Sequence, residues 1–262
     1  MISISHAIIL GLIEGLTEFL PISSTGHLII ANYFLGNDLT SKLVQTFEIS
    51  IQLGAILAVV GMYWKDLWKW PTIRLLLYGF IPTAIIGLLA KSLIGSMLAL
   101  PIVVAIALIV GGVGIIAAER YVKSRSMLSR FIGPDATKTR IENREAVFLG
   151  IWQSLALIPG MSRSGSMIIG GLLMNIKRET LVKYTFLIAV PTMSAATILS
   201  LKDSYHLFAA DNILVLLVGF FTAAITAFIA MRVFIPYIRK HTFVWFGVYR
   251  IVVGLILLGM LL

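Results

Sequence analysis

The sequence Pro21-Ile22-Ser23-Ser24-Thr25-Gly26 interrupts an apolar stretch at residues 6–35. A second interruption, Pro159-Gly160-Met161-Ser162-Arg163-Ser164-Gly165, divides the apolar stretch at residues 146–175 in the same way. A proline followed by Ser, Thr and Gly does not continue a helix. The apolar segment on either side of each break has only about ten to fourteen residues, too few to cross a bilayer. We therefore predict two re-entrant hairpins whose irregular centres are buried in protein or line a wet cavity.

The rest of the chain has the composition of a membrane protein. Of its 262 residues 59% are hydrophobic and 13% are charged, whereas about a quarter of the residues in a soluble domain are charged. This composition excludes a soluble enzyme, a disordered chain and a fibrous protein. The absence of cysteine excludes disulfides and thiolate zinc sites. Six uninterrupted segments are long enough to span a bilayer: 46–64, 75–92, 100–118, 184–201, 213–231 and 243–262.

The basic residues predict how the chain is oriented. Alternating six spans around two re-entrant hairpins puts four loops on one face: 65–74, 119–145, 176–183 and 232–241. These loops hold 16 of the 21 Lys and Arg residues, and the opposite face keeps Lys42, Lys91 and Lys202. The positive-inside rule makes the basic face cytoplasmic, so the first hairpin enters the membrane from outside and the second from the cytoplasm. Topology thus explains the net charge of +9, and no nucleic-acid partner is predicted.

The second half of the sequence repeats the first. A shift of 139 residues aligns the two breaks and matches Ser23 with Ser162 and Gly26 with Gly165. Each half contains one hairpin and three spans, and an odd number of spans inverts the second half. We therefore predict an all-α integral membrane protein with an inverted-topology repeat. Its parts are a first repeat at 1–118, a basic cytoplasmic linker at 119–145 and a second repeat at 146–262.

Ionisable residues in the first hairpin are candidates for function, because charges inside a membrane are costly. Glu14 and Glu18 lie four residues apart, on one face of the first half-helix. Together they could bind a divalent cation, one could act as a general base, or both could be a structural pair bonded to the break. The hydroxyl groups of Ser24 and Thr25 lie where the next half-helix begins, a position that attracts anions. His27, one turn on, could act as acid, base or nucleophile, although an ordinary capped helix start explains this motif equally well.

The second break supplies an arginine between two serines. Ser162, Arg163 and Ser164 again lie at a helix start, where the guanidinium can bind phosphate oxygens through two donors. The structural alternative is that Arg163 pairs with Glu14 or Glu18 across the repeat. Both interpretations place the two breaks together.

Three further polar residues lie inside predicted spans. Glu48 and Gln52 form a pair at helical spacing that either lines the site or makes contacts between helices. Arg250 in the last span could reach a phosphate, but we expect it to extend to the membrane interface.

The two motifs carry a resemblance to a known family. The residues from Glu14 to His27 resemble the first signature of the bacterial undecaprenyl-diphosphatase family, also called the bacitracin-resistance type, and residues 159–165 resemble the second. The likeness runs along essentially the whole chain. It implies a phosphatase of the bacterial inner membrane that removes the terminal phosphate of undecaprenyl diphosphate, which recycles the lipid carrier of peptidoglycan synthesis and confers bacitracin resistance. It also implies a divalent cation, Mg²⁺ or Ca²⁺, and an active site that faces outward.

By the same resemblance, Glu14 and Glu18 correspond to the acidic pair of the family, Ser24 and His27 to its catalytic serine and histidine, and Arg163 to its phosphate-binding arginine. The expected partners are the polyprenyl diphosphate substrate and membrane lipids. The expected protein partner, if the chain forms a homodimer, is a second copy of itself. The competing interpretation is a secondary transporter or a polyprenyl-phosphate flippase, because inverted repeats with broken helices are also a transporter architecture.

Overall fold

The structure is a computed structural model that describes residues 2–38, 41–90, 92–93, 97, 100–132, 137–204 and 210–261. Lys91 and the side chain of Lys202, both predicted on the outer face, lie outside the described part. The described residues form ten α-helices: α1 Ile4–Thr17, α2 Ser24–Phe34, α3 Lys42–Leu67, α4 Trp70–Leu89, α5 Pro101–Ile132, α6 Asn143–Ser154, α7 Arg163–Leu173, α8 Arg178–Ser204, α9 Ala210–Lys240 and α10 Val244–Leu261.

Six of these helices are long and apolar enough to cross a membrane, and the prediction of six spans is confirmed. They are α3, α4 and α10 together with the larger parts of α5, α8 and α9. Large apolar side chains remain exposed along them, including Ile85, Val113 and Ile225, as expected where lipid rather than water is the solvent. The largest buried apolar cluster includes Phe19, Met167 and Phe186, and so lies beside both breaks.

Both predicted breaks interrupt the helices. Residues 18–23 separate α1 from α2, and residues 155–162, which include a 3₁₀ turn at Leu155–Leu157, separate α6 from α7. Ser23 and Ser162 have positive φ angles of 71° and 68°, a conformation uncommon for residues other than glycine. Each caps the next helix, since its hydroxyl accepts a hydrogen bond from the N–H of Gly26 or Gly165. The two residues matched in the sequence repeat therefore share one backbone conformation and one contact.

The hairpin of each half packs against the second span of the other half. α1 lies along α9, and α6 lies along α4. A glycine pair brings each pair of backbones close: Gly11 meets Gly219, and Gly150 meets Gly79. The equivalent spans α5 and α10 also pack together, as do α3 and α8. Each of these contacts therefore joins an element of one half to an element of the other, and the contacts follow the correspondence that the sequence repeat predicts. The re-entrant course of the hairpins and the inversion of the second half stay predictions.

The predicted linker at 119–145 is helical over much of its length. α5 continues to Ile132 and α6 begins at Asn143, with residues 133–136 outside the described part. Glu119 is buried, and its carboxylate accepts hydrogen bonds from the Arg178 guanidinium and from the backbone N–H of Phe243. These donors satisfy the carboxylate of Glu119. The helix therefore continues through a charged residue that the sequence predicts at the start of a loop.

Candidate active site

The structure brings the two breaks together around a cavity of about 150 Å³. Arg163 Nη2 donates to Glu18 Oε1 at 3.2 Å, and Ser164 Oγ donates to the carbonyl of Leu20 at 2.9 Å. These contacts join residues that are more than 140 positions apart in the sequence. The cavity is lined by residues of both breaks and of α3 and α8: Glu18, Ser23, Ser24, Thr25, Gln52, Ala156, Gly160, Ser162, Arg163 and Met193.

Glu18 lies between a serine hydroxyl and a guanidinium. Ser24 Oγ donates to Glu18 Oε2 at 2.6 Å, while Arg163 occupies the other carboxylate oxygen. The carboxylate is therefore oriented by its cationic partner and is in direct contact with the serine proton. A serine in this contact has the arrangement of a nucleophile beside its general base.

Arg163 is held in place but keeps a free donor. Its Nη1 donates to the carbonyl of Thr185 at 2.6 Å, and its guanidinium lies 5.9 Å from the centre of the Phe19 ring. The buried Nε–H has no acceptor among the residues that the structure describes. An unpaired buried donor costs free energy. The guanidinium itself lines the cavity, so it supplies positive charge to a phosphate bound there.

Two helices begin at the cavity. Ser24 and Thr25 form the first turn of α2, and Arg163 is the first residue of α7. The N–H groups of a first helical turn have no partner inside the helix, and the helix dipole makes this end positive. Two such ends, together with a guanidinium, make the cavity a site for an anion, and phosphate is the anion that helix starts commonly bind.

Glu14 does not line the cavity. Its side chain is fully buried, and neither carboxylate oxygen accepts a hydrogen bond from any described residue. Its charged neighbours are Glu18, Glu48 and Arg163. A buried carboxylate without a partner is unfavourable, so its oxygens and those of Glu18 suit a divalent cation. In the described part of the chain no group of three or more His, Asp or Glu side chains could hold a metal, so such an ion would also need oxygens from water or substrate.

His27 lies outside the cavity lining. Its Nδ1 is 2.7 Å from the carbonyl of Ser23, and its Nε2 is 2.7 Å from the hydroxyl of Tyr249. Because a carbonyl can only accept, Nδ1 carries a proton, and when the ring is neutral Nε2 accepts the Tyr249 proton. Both nitrogens are therefore engaged away from Glu18 and Ser24. No local pattern in the sequence predicts Tyr249 as a partner of His27, because the two residues are 222 positions apart.

Two other predicted site residues have structural contacts instead. The hydroxyl of Ser164 is buried, donates to the carbonyl of Leu20 in the first break and does not line the cavity, and its role toward a phosphate stays a prediction. Glu48 accepts a hydrogen bond from Asn32 at 2.9 Å and does not line the cavity. Gln52, one turn further along α3, does line it.

The expectation that Arg250 extends to the membrane interface is wrong. Its side chain is fully buried, and its guanidinium donates to five backbone carbonyls between 3.0 and 3.3 Å away. The acceptors belong to both breaks and to α5: Pro21, Gly160, Met161, Ala107 and Leu108. A broken helix leaves carbonyls without partners, and Arg250 supplies donors to both breaks. One feature of the sequence could have predicted that Arg250 is buried among polar partners: it is an arginine in the interior of an apolar span.

Comparisons with known proteins agree over nearly the whole chain. The model of the family described as bacitracin resistance protein BacA matches residues 7–256. The undecaprenyl-diphosphatase of Persephonella marina is 45% identical over 262 residues, which cover 97% of this chain and 98% of that protein. The undecaprenyl-diphosphatase of Bdellovibrio bacteriovorus is 43% identical and covers 98% of this chain and 95% of its own length. That of Aquifex aeolicus is also 43% identical, with 96% of each chain covered.

Proposed function

Because the chain belongs to the bacitracin resistance protein BacA family, we propose that it hydrolyses undecaprenyl diphosphate to undecaprenyl phosphate and inorganic phosphate. The observation that carries the chemistry is the 2.6 Å hydrogen bond from Ser24 to Glu18, beside Arg163. A multi-pass membrane protein can hold the lipid chain against its spans. The anion-attracting cavity between the breaks suits the diphosphate.

The reaction begins with Ser24. Its Oγ forms a bond to the terminal phosphorus, its proton passes to Glu18, and the bond from that phosphorus to the bridging oxygen breaks. Undecaprenyl phosphate leaves as a stable anion, so no general acid is required at this step. Water then attacks the phosphorus, the bond from phosphorus to Oγ breaks, and Oγ takes back the proton held by Glu18. Both protons of the water leave with the inorganic phosphate as dihydrogen phosphate. Arg163 and the N-termini of α2 and α7 stabilise the charge on the phosphoryl oxygens, which is the main demand of phosphoryl transfer.

A divalent cation, Mg²⁺ or Ca²⁺, is part of the proposal. Glu14 and Glu18 would hold it, and the unpaired buried oxygens of Glu14 support this assignment. When bound, it would neutralise charge on the phosphate oxygens. Chelation should therefore abolish phosphate release, and adding back Mg²⁺ or Ca²⁺ should restore it.

The proposed location is the bacterial inner membrane, with the active site open to the outer side. The concentration of basic residues in the four loops predicted as cytoplasmic supports this orientation. Every residue assigned to the site comes from one chain, so the mechanism does not need a homodimer.

Phosphate release from undecaprenyl diphosphate by the full chain in detergent micelles tests this function, because a transporter or flippase has nothing to move across a micelle. We expect Ser24→Ala to lower kcat by about a thousandfold or more, and His27→Gln to lower it much less. Ser41→Ala, at a helix start where the side chain forms no capping bond, is the matched control. A phosphoenzyme trapped by acid quench should carry its phosphate on Ser24; phosphate on His27 would contradict the mechanism.

A further inference from the structure

A second and larger cavity, of about 850 Å³, opens where the basic loops meet. It shares no lining residue with the active-site cavity. Its walls come from the start of α4, from the segment at 139–144 and from the start of α8. All three belong to the face that the positive-inside rule makes cytoplasmic.

Three helices begin at this cavity. Pro71 and Thr72 lie in the first turn of α4, Asn143 and Arg144 in the first turn of α6, and Thr180 in the first turn of α8. Each contributes the positive end of its dipole. Helices α4 and α8, of 20 and 27 residues, thus point the same partial charge into one space. The N-terminus of α6 is capped by the carboxylates of Glu142 and Glu145.

Basic side chains surround the same space. Arg74, Arg140 and Arg144 line the cavity, and none of them forms a hydrogen bond or an ion pair with any described residue. Lys183 also lines it, but its ammonium is paired with Asp66 at 2.5 Å. Among the residues that the structure describes, Glu142 is the one acidic residue in the lining. Three guanidinium groups that have no partner in the described part of the chain therefore line the cavity and can bind a ligand.

The surroundings place the cavity at the level of lipid headgroups. Trp68 and Trp70, next to the wall formed by α4, are 67% and 69% exposed, and exposed Trp marks the membrane interface. Leu75 and Leu187 give the cavity an apolar wall. Guanidinium groups above an apolar wall fit a phosphate that is attached to an apolar chain, and basic pockets on the cytoplasmic side commonly hold anionic headgroups.

We propose that this cavity is a second, non-catalytic phosphate-binding site. Its ligand is a phosphate group, carried either by an anionic lipid of the cytoplasmic leaflet or by a soluble phosphate. The guanidinium groups bind the phosphate oxygens through paired donors. The N-termini of α4 and α8 add positive potential, whereas the N-terminus of α6 is already capped by Glu142 and Glu145. The site is independent of the proposed hydrolysis, since it contains none of the residues assigned to that reaction.

Tryptophan fluorescence of the full chain in neutral detergent tests the proposal, because Trp68 and Trp70 adjoin the cavity. One arm titrates phosphatidylglycerol against phosphatidylcholine, and the other titrates inorganic phosphate against chloride. The triple variant Arg74→Gln, Arg140→Gln, Arg144→Gln should weaken saturable binding by about tenfold or more. The matched control Lys65→Gln, Arg120→Gln, Lys123→Gln removes three charges from the same face outside the cavity and should leave the affinity within about threefold.

Saturable binding of phosphatidylglycerol alone would identify a lipid site, and saturation by inorganic phosphate would identify a soluble ligand. Binding of neither, or equal weakening by both triple variants, would overturn the proposal. In micelles without anionic lipid, both triple variants should release phosphate at the rate of the unmodified chain. Loss of binding at this second site can therefore be told apart from loss of the hydrolytic mechanism. If the triple variant does not fold, Arg140→Gln alone provides the same comparison.

Discussion

Arg250 holds both breaks of the molecule in place through backbone carbonyls. Its five acceptors come from three separate segments, at residues 21, 107–108 and 160–161. Guanidinium offers five N–H donors in a fixed plane, which allows one side chain to bond to all three. The position of the cavity lining therefore depends on a residue that does not touch the cavity.

Arg250→Lys should destabilise the protein and lower its activity. Lysine has three donors on a flexible stem, and each buried carbonyl left without a partner costs about 1–3 kcal/mol. We expect the unfolding temperature to fall by about 5 °C or more, and kcat to fall because Pro21 and Gly160 are no longer fixed. Arg232→Lys, at an exposed arginine over the Phe228 ring, is the control and should change neither. An unchanged unfolding temperature for Arg250→Lys would show that the carbonyl contacts are not stabilising.

The sequence predicted this site in part. The pairing of Arg163 with Glu18 was one of two alternatives, because an arginine and a carboxylate in matched breaks of a repeat can meet. The contact of His27 with Tyr249 and the carbonyls around Arg250 were not predictable, since neither leaves a local pattern. Such contacts join residues that are 222 and 229 positions apart, and they follow from packing rather than from periodicity.

At the scale of helices, glycine pairs set how closely the hairpins approach the opposite half. A Cβ added at Gly150 would lie 2.1 Å from the carbonyl oxygen of Gly79. That neighbour is backbone and cannot rotate away, so α6 and α4 are in contact only because neither has a side chain there. Small residues allow this approach in membrane helices.

Gly150→Ala should force α6 away from α4. Overpacking of this kind costs about 1–3 kcal/mol, and we expect a lower unfolding temperature together with reduced phosphate release, because α6 leads into the second break. Gly61→Ala in α3 is the control, since nothing lies within 4 Å of the added carbon. Its unfolding temperature should stay the same or rise, as alanine is the better helix former. Equal effects of the two substitutions would mean that the close approach does not matter.

The helices themselves were largely predictable. Hydropathy identified all six spans, and Pro21 and Pro159 marked both breaks. The continuation of α5 through Glu119 was not predicted, because charge in that segment indicates a loop. Its carboxylate is satisfied by Arg178 and Phe243, which are 59 and 124 positions away. Hydropathy does not report such partners.

At the scale of the whole molecule, the distribution of charge predicts which side each loop faces. The chain has no cysteine, so any introduced cysteine is the sole target for a thiol reagent. Lys42→Cys and Lys123→Cys lie at exposed positions on the two predicted faces. In intact cells with a permeabilised outer membrane, an impermeant maleimide should label Lys42→Cys and leave Lys123→Cys unlabelled until the inner membrane is opened. The reverse pattern would invert the topology and place the active site inward.

The packing of α1 against α9 also sets an order of events during synthesis. The ribosome makes α1 before α9, so about two hundred residues must follow Gly15 before it can meet Ala223 and Ala227. Until then Glu14 lies in a short helix without its permanent neighbour, and Glu18 lies directly after that helix. The nascent chain must therefore hold two carboxylates near the membrane until α9 is made, and α9 then completes the burial of the first hairpin.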